Sequence, residues 1–358
     1  MDLISTSYEN LKDKALVKSF IEDTNIKKYI LGINKLGKSV QKFVEVDGII
    51  DDFSRVQKSR KKTIFQIEDI EIGSLILCAV NGSPLEVINK LDELGHTHFN
   101  YLSFVKYSDF DLAEPPFIMD FKEDYTNNKK KYENTYSLLA DKKSKEIFEK
   151  VINFKISFDY DFMKGFTNNH EEQYFDKELI PKIPNISFVD GGSYVGDTLP
   201  QIIKNFPTYK KIYCIEPNTL HINIAKRDFG TLKNIEFINC GLGKEKSENL
   251  DDNADQNNCA HDYQALNINS LDNLLSAEVD FIKLDIEGAE LDTIEGAKNT
   301  IVKNHPILAI CIYHKASDWY KIPSLVLEIE PKYDVYLRHY MEGIYETVLY
   351  FIPKKVIF

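Results

Sequence analysis

Phe188–Thr198 reads FVDGGSYVGDT. An apolar strand runs into Asp190-Gly191-Gly192, Ser193 and Gly196 follow, and Asp197 opens a helix at Thr198. Glycines at a strand's carboxyl end let a ligand approach the backbone, and a helix N-terminus presents free N–H groups. A Rossmann-type turn also wants an acid at the tip of the next strand, where it can bond ribose hydroxyls. Glu216, in YCIEPN, stands about 20 residues beyond Gly196. A glycine turn without a ligand is the bland alternative, and the placed acid tips the reading toward a nucleoside-bearing cofactor.

Outward from this turn the pattern alternates. Strands are expected at Ile186–Asp190, Lys211–Glu216, Ile235–Cys240, Val279–Asp285 and Ile307–Tyr313, with helices at Asp197–Phe206, Leu220–Phe229 and Glu290–Ile301. Asp334–His339 and Thr347–Phe351 read as a closing antiparallel pair around Gly343. The loop 243–265 is a lid candidate, because polar loops this long are usually functional or disordered. Upstream, KYILGIN, DGIIDD, SLILCAV and His98–Phe104 read as strands, and Ser83–Leu94 as a helix stopped by Gly95. Strand alternating with helix predicts a second, smaller α/β domain over 1–115. Glu114-Pro115-Pro116 ends it. Residues 116–180 read as a helical connecting segment, with Tyr136–Phe154 as its best helix, and the larger domain fills 181–358.

The 358 residues are 43% hydrophobic and 28% charged, an ordinary globular balance that argues against disorder or fibre. The net charge of −12 disfavours nucleic acid, whose affinity rests on Lys and Arg neutralising phosphates. No apolar run approaches the ~20 residues of a transmembrane helix, and the N-terminus lacks a signal-peptide pattern. Cys78, Cys214, Cys240, Cys259 and Cys311 form no CxxC. A reducing, cytoplasmic setting is expected.

Asp190 and Asp197 flank the glycine loop. Two acids there would repel the pyrophosphate of NAD and suit a cofactor that is cationic at this point, as S-adenosylmethionine is. VDFIKLDIEGAELDTIEGA, Val279–Ala297, puts Asp285 at a strand tip with Glu287 and Glu290 after it. Asp285 or Glu287 can serve as base or hydroxyl ligand there, whereas Glu290 reads as a helix-start acid. In CIYHKASDWY, His314 and Lys315 end the next strand on the same edge, and His314 is a second base candidate. Asp285 and His314 alone do not make up the ligand set of a divalent ion, and no metal is expected. Arg338-His339 can be acceptor contacts or a structural ion pair.

FVDGGSYVGDT, IEPN, INSLDNLL, FIKLDIEGAELDTIEGA, IYHKASDWYKIP and YLRHY…ETVLYFIP run in order across roughly 170–353. This half resembles the FkbM family of S-adenosylmethionine-dependent methyltransferases. The resemblance implies a class I, Rossmann-like sheet, mostly parallel with a terminal antiparallel pair. It implies that Asp190, Gly191, Gly192, Ser193, Gly196, Asp197 and Thr198 surround the methionine part of the cofactor. Glu216 would hold the ribose, Asn239, Cys240 and Gly241 would lie near adenine, and Tyr174 would close over the cofactor. Asp285, Glu287 and His314 would be catalytic, and Lys315, Asp318, Arg338 and His339 would face the acceptor. The implied acceptor is a sugar hydroxyl, on a nucleotide-activated sugar or a surface glycan. The alternatives are a non-catalytic nucleotide-sugar-binding scaffold and an NAD-dependent sugar-modifying enzyme. The first domain resembles small nucleotide- or CoA-binding-like domains. Its loop, Gly32-Ile33-Asn34-Lys35-Leu36-Gly37, has Asn34 where G-x-G-x-x-G has its second glycine, so a docking or homo-oligomerising role stands beside binding.

Overall fold

The computed structural model describes residues 1–52, 58–59, 62–249 and 266–354. The chain divides into two compact units. The first takes Met1–Asn127, Phe148–Asn168 and Tyr340–Tyr345; the second takes Asn128–Ile147, Asn169–His339 and Glu346–Phe358. The stretch expected to stand as a connecting segment at 116–180 is therefore shared between the units. Packing explains the division. Phe154 lies against Tyr160 within the first unit, whereas Tyr132 donates to the Ala316 carbonyl within the second. The single helix expected over Tyr136–Phe154 is two, Phe121–Leu138 and Lys142–Ser157. Between them Ala140 N–H bonds Val335 O, and Asp141 Oδ1 accepts the Ser144 N–H.

The first unit holds strands β1 (Lys28–Leu31), β2 (Gly48–Ile50), β3 (Lys58–Ser59), β4 (Lys62–Phe65), β5 (Leu75–Cys78) and β6 (Thr97–Asn100). They form one sheet in the order β3-β4-β2-β1-β5-β6, parallel except for the β3–β4 pair. Alternate residues face opposite ways along a strand. Ile30, Leu75 and Leu77 join Val17, Phe20 and Phe104 in one core, while Tyr29, Ile76 and Cys78 join Ile50 and Leu91 in the other. Two buried faces explain why these strands read as continuous apolar runs. The strand expected over His98–Phe104 stops at Asn100. The Asn100 Oδ1 accepts the Ser103 N–H and starts the helix Tyr101–Tyr107.

The second unit holds β7 (Ser187–Gly191), β8 (Lys211–Ile215), β9 (Ile235–Ile238), β10 (Gly241–Leu242), β11 (Ser247–Asn249), β12 (Leu266–Asn269), β13 (Phe281–Leu284), β14 (Ile307–Cys311), β15 (Tyr333–His339) and β16 (Thr347–Pro353). Seven of them form the main sheet in the order β15-β16-β14-β13-β7-β8-β9, and β10, β12 and β11 form a small one. Only β16 is reversed in the main sheet, pairing antiparallel with β14 and β15. This is the class I methyltransferase topology. Phe188 of β7 and Phe281 of β13 stack with ring centroids 4.6 Å apart in its core.

The helix expected over Glu290–Ile301 is broken into Glu290–Glu295 and Lys298–Asn304. Gly296 sits at the break, where a Cβ would stand 2.2 Å from the Gly243 carbonyl oxygen. Close backbone approach takes priority over helix continuity there. Most of the lid expected at 243–265 lies outside the described residues, as does Cys259.

Candidate active site

The carboxyl ends of β7, β8, β13 and β14 share one edge of the sheet, where open α/β sheets bind ligands. Because β16 is reversed, its first residues lie on this edge too, and Ile312 N–H bonds Thr347 O at 3.0 Å. The glycine loop crosses the edge under tight constraint. Gly192 and Ser193 donate their N–H groups to Ile215 O at 3.0 and 3.1 Å, and Asp285 donates its N–H to Gly191 O at 3.1 Å. Gly192 has φ +74°, and a Cβ there would lie 1.8 Å from the Asp285 carbonyl oxygen. Only glycine fits.

Asp190, expected around the cofactor, is fully buried beneath this loop. Its Oδ1 lies 3.0 Å from Lys283 Nζ, and Lys283 donates to Gly192 O at 2.8 Å. Burial pushes the Asp190 carboxyl up and Lys283 pulls it back down. Its charge is thus matched from below, and it supports the loop instead of facing the ligand space. Gly191 and Ser193 are likewise buried. Glu216 follows β8 as expected: its Oε2 accepts the Tyr194 N–H at 3.1 Å and its Oε1 the Asn218 N–H at 2.9 Å. Asn239 braces that turn, donating to Glu216 O and Pro217 O. Cys240 and Gly241 are buried behind it.

Asp285 is the centre of a hydrogen-bonded cluster. Tyr174 OH donates to its Oδ2 and Tyr313 OH to its Oδ1, each at 2.9 Å, and His314 Nε2 lies 3.4 Å from Oδ1. Burial works to raise its pKa, but Lys283, His314 and the two phenols outweigh it and hold the carboxyl below its ordinary value. Asp285 is ionised at neutral pH. His314 has its Nδ1 3.0 Å from Glu290 Oε1 and its Nε2 3.7 Å from Glu287 Oε2. Burial opposes its charge, yet Glu290, Asp285 and Glu287 hold the imidazole above its ordinary value. Glu290 is fully buried and its Oε1 also accepts the Ile286 N–H, the helix-start role read from the sequence. Glu287, at φ +56°, is exposed on the rim.

A cavity of about 670 Å³ opens over this edge, within the size range of small-molecule sites. Tyr174, Gly192, Asp197, Thr198, Glu216, Asp285 and Glu287 line it, all sequence candidates. Tyr194, inside the Asp190–Thr198 stretch expected around the cofactor, lines it as well, and so do His170, Glu171, Gln173, Phe175, Gln201, His221, Lys283 and Glu346, which no sequence motif marks individually. Of these, Glu171, Gln173 and Phe175 lie in EEQYFD, and Glu346 opens ETVLYFIP, so a signal was present. The lining carries the carboxylates Glu171, Asp197, Glu216, Asp285, Glu287 and Glu346 against Lys283 as its one Lys or Arg among the described residues.

The four residues expected at the acceptor do not line this cavity. Arg338 is buried, donating from Nε to Asp176 Oδ2 at 2.9 Å and from Nη2 to Asp141 Oδ2 at 2.8 Å. That is the structural ion pair. His339 Nδ1 meets Thr347 Oγ1 at 2.9 Å, also buried. Asp318 is buried at the start of the helix Asp318–Ile329, where burial pushes its carboxyl up to about 7. Lys315 is exposed and donates to Gly288 O. Among the described residues no cluster of three or more His, Cys, Asp or Glu side chains is arranged to hold a metal ion. No described helix is long and apolar enough to cross a membrane.

The reversed seventh strand, the glycine turn and the acid after the second strand define a class I methyltransferase domain. Residues 188–340, within the second unit, match the family model described as the methyltransferase FkbM domain. A methyltransferase FkbM structure from Methylobacillus flagellatus KT superposes with TM-score 0.75 at 20% identity, over 96% of this chain and 94% of that one. That match shows a shared fold extending through the first unit. A precorrin-6y C5,15-methyltransferase from Geobacter metallireducens GS-15 matches at TM-score 0.34 and 11% identity, covering 52% of this chain and 90% of that one. An rRNA methylase from Streptococcus thermophilus matches at 0.35 and 16%, covering 52% and 95%. No curated protein matches significantly.

Proposed function

We propose that the second unit transfers a methyl group from S-adenosylmethionine to a hydroxyl of a sugar, on a nucleotide-activated sugar or a glycan unit. The acidic cavity carries this reading. The donor set fits a ligand with an ammonium and a sulfonium, and it disfavours the pyrophosphate of NAD. Glu216 would hold the ribose hydroxyls, pre-oriented by the Tyr194 and Asn218 amides. The backbone of Gly192–Thr198 would face the amino-acid end of the cofactor. When bound, that cofactor supplies an electrophilic methyl on a positively charged sulfur.

The chain's own contribution is alignment and charge. Asp285, held ionised and rigid by Tyr174 and Tyr313, can accept a hydrogen bond from the acceptor hydroxyl. His314, buried behind it, positions Asp285. The hydrogen-bonding side chains of His170, Gln173 and Gln201 in the same lining suit a polyhydroxylated acceptor. Calorimetry with S-adenosylmethionine and with NAD tests the cofactor: the first should bind and the second should not. Mass spectrometry of a nucleotide-sugar panel incubated with enzyme and S-adenosylmethionine tests the acceptor. A product heavier by one CH₂ is expected, and methylation confined to a non-carbohydrate acceptor would refute the sugar assignment.

A further inference from the structure

Every base candidate on the parallel strands has a defect. Asp285 is pinned by hydroxyl donors and Lys283 in its ionised form, which makes it a weak proton acceptor. His314 is buried with Nδ1 3.0 Å from Glu290 Oε1 and Nε2 3.4 and 3.7 Å from Asp285 and Glu287, so both ring nitrogens are turned to carboxylates, and it does not line the cavity. Glu287 stands on the exposed rim. Glu346 has none of these defects. It directly precedes the reversed strand β16, so the antiparallel register places it on the ligand edge, and it lines the cavity with Asp285 and Lys283. Its backbone sits at φ +63°. The Gln173 amide donates to Glu346 Oε2 and also to Tyr174 OH, which donates to Asp285. Among the described residues no other donor reaches the Glu346 carboxyl, and the residue lines the cavity.

We propose that Glu346 is the catalytic proton acceptor of this site, with Asp285 orienting the acceptor hydroxyl. The assignment rests on the methyltransferase reading above. In the balanced step, the acceptor O–H bond breaks and its proton passes to Glu346. The acceptor oxygen gains the methyl group, and the carbon–sulfur electron pair stays with the donor sulfur. The surroundings suit the role. Glu346 faces Tyr174, Lys283, Asp285, Cys311, Tyr313 and His314 from the neighbouring elements. Burial first and Asp285 second push its carboxyl up to about 7, against Gln173, Lys283 and His314. A base with a value near neutrality combines availability with proton affinity. A cation entering the cavity favours the ionised carboxylate, so arrival of the methyl donor would switch the base on.

The test is calorimetric titration of the full chain at pH 7 with S-adenosylmethionine and with S-adenosylhomocysteine, which lacks the sulfonium. Each is run in phosphate and in Tris, so that the difference in heat counts protons. We expect release of up to about half a proton with S-adenosylmethionine, less with S-adenosylhomocysteine, and none in Glu346→Gln, which should still bind S-adenosylmethionine, more weakly by about tenfold because the coupled carboxylate is gone. Glu346→Asp should restore part of the release. With an acceptor from the nucleotide-sugar panel, Glu346→Gln should lose about 10²–10⁴-fold in kcat, and the wild-type rise in kcat/KM for the methyl donor through neutral pH should disappear. Binding without release, or release retained in Glu346→Gln, overturns the assignment and leaves the methyltransferase reading standing. A folded wild type that binds neither ligand overturns both.

Discussion

Replacing Lys283 by Met should destabilise the second unit more than any other single change at the site. The side chain is buried at 3% exposure, its ammonium lies 3.0 Å from a carboxylate with no exposure, and it also bonds a loop carbonyl. At 3.0 Å the attraction is about 5–6 kcal/mol for an effective dielectric of about 20. Desolvating the two ions offsets part of this, and removing one partner of a buried pair typically costs about 3–5 kcal/mol. Each kcal/mol shifts Tm by about 2–4 °C in a unit this large, so the drop should be about 6–20 °C. Calorimetry or circular dichroism of the thermal transition measures it. The pH dependence has a definite sign. Burial pushes Asp190 up, and without Lys283 it rises further above its unfolded value. The native variant then holds a proton that the unfolded chain has released, so its stability recovers as pH falls and its deficit is largest at alkaline pH. Adding Asp190→Asn should recover much of the loss at neutral pH, because no unpaired charge remains. A Lys283→Met protein within 1 kcal/mol of wild type, or a double variant no better than the single, would refute this account of the loop.

Glu216→Gln should weaken S-adenosylmethionine binding by about 1–3 kcal/mol, the cost of losing a charged hydrogen-bond partner, with a soluble, folded protein as the check by circular dichroism. Gly192→Ala drives a Cβ into the Asp285 carbonyl oxygen; it should abolish measurable cofactor binding, and a calorimetric Kd near wild type would sink the close-approach argument. Arg338→Met should cost about 3–5 kcal/mol by stranding Asp176 and leave S-adenosylmethionine affinity within a few-fold, as expected for a group outside the cavity. At Asp141, burial is outweighed by Arg338 and Ser144, and the carboxyl is held below its ordinary value. Its contribution is therefore present above the ordinary carboxylate range and lost as pH falls through the folded value, so acid unfolding of Arg338→Met should begin from a lower plateau with a shallower slope.

The local code was readable where chemistry and chain run together. FVDGGSYVGDT carries its strand, its turn and its acid in one stretch, and the acid of IEPN needs only the next strand to be counted. What could not be read was which side chains meet across strands. Lys283 is the direct register partner of Asp190, and nothing in VDFIKLD announces that its lysine neutralises an acid in another motif. The acidic character of the cavity rests on other residues than the loop acid Asp190, which is matched from beneath: Glu216, Asp285, Glu287 and Glu346 join Asp197 in the lining. Glu346 escaped notice for a geometric reason. The carboxyl ends of the parallel strands mark the ligand edge, but a reversed strand brings its beginning to that edge.

The two units also show what a glycine turn needs before it becomes a site. Both follow a buried parallel strand with glycines and a helix. In the second, Gly192 lets two backbone segments cross and leaves Glu216 facing open space. In the first, Asn34 does the opposite. Its Oδ1 accepts the Gly37 N–H and its amide donates to the Ala79 carbonyl, so the side chain satisfies the helix start that a phosphate would otherwise meet. The nearby crevice at the ends of β5 and β6 holds about 10 Å³, room for about one water, with Tyr160 and Ile344 of the same unit among its walls. A pyrophosphate would have to displace a cap and a packed core at once. The first unit therefore keeps the strand, the glycines and the helix of such a turn while the Asn34 side chain occupies the helix start.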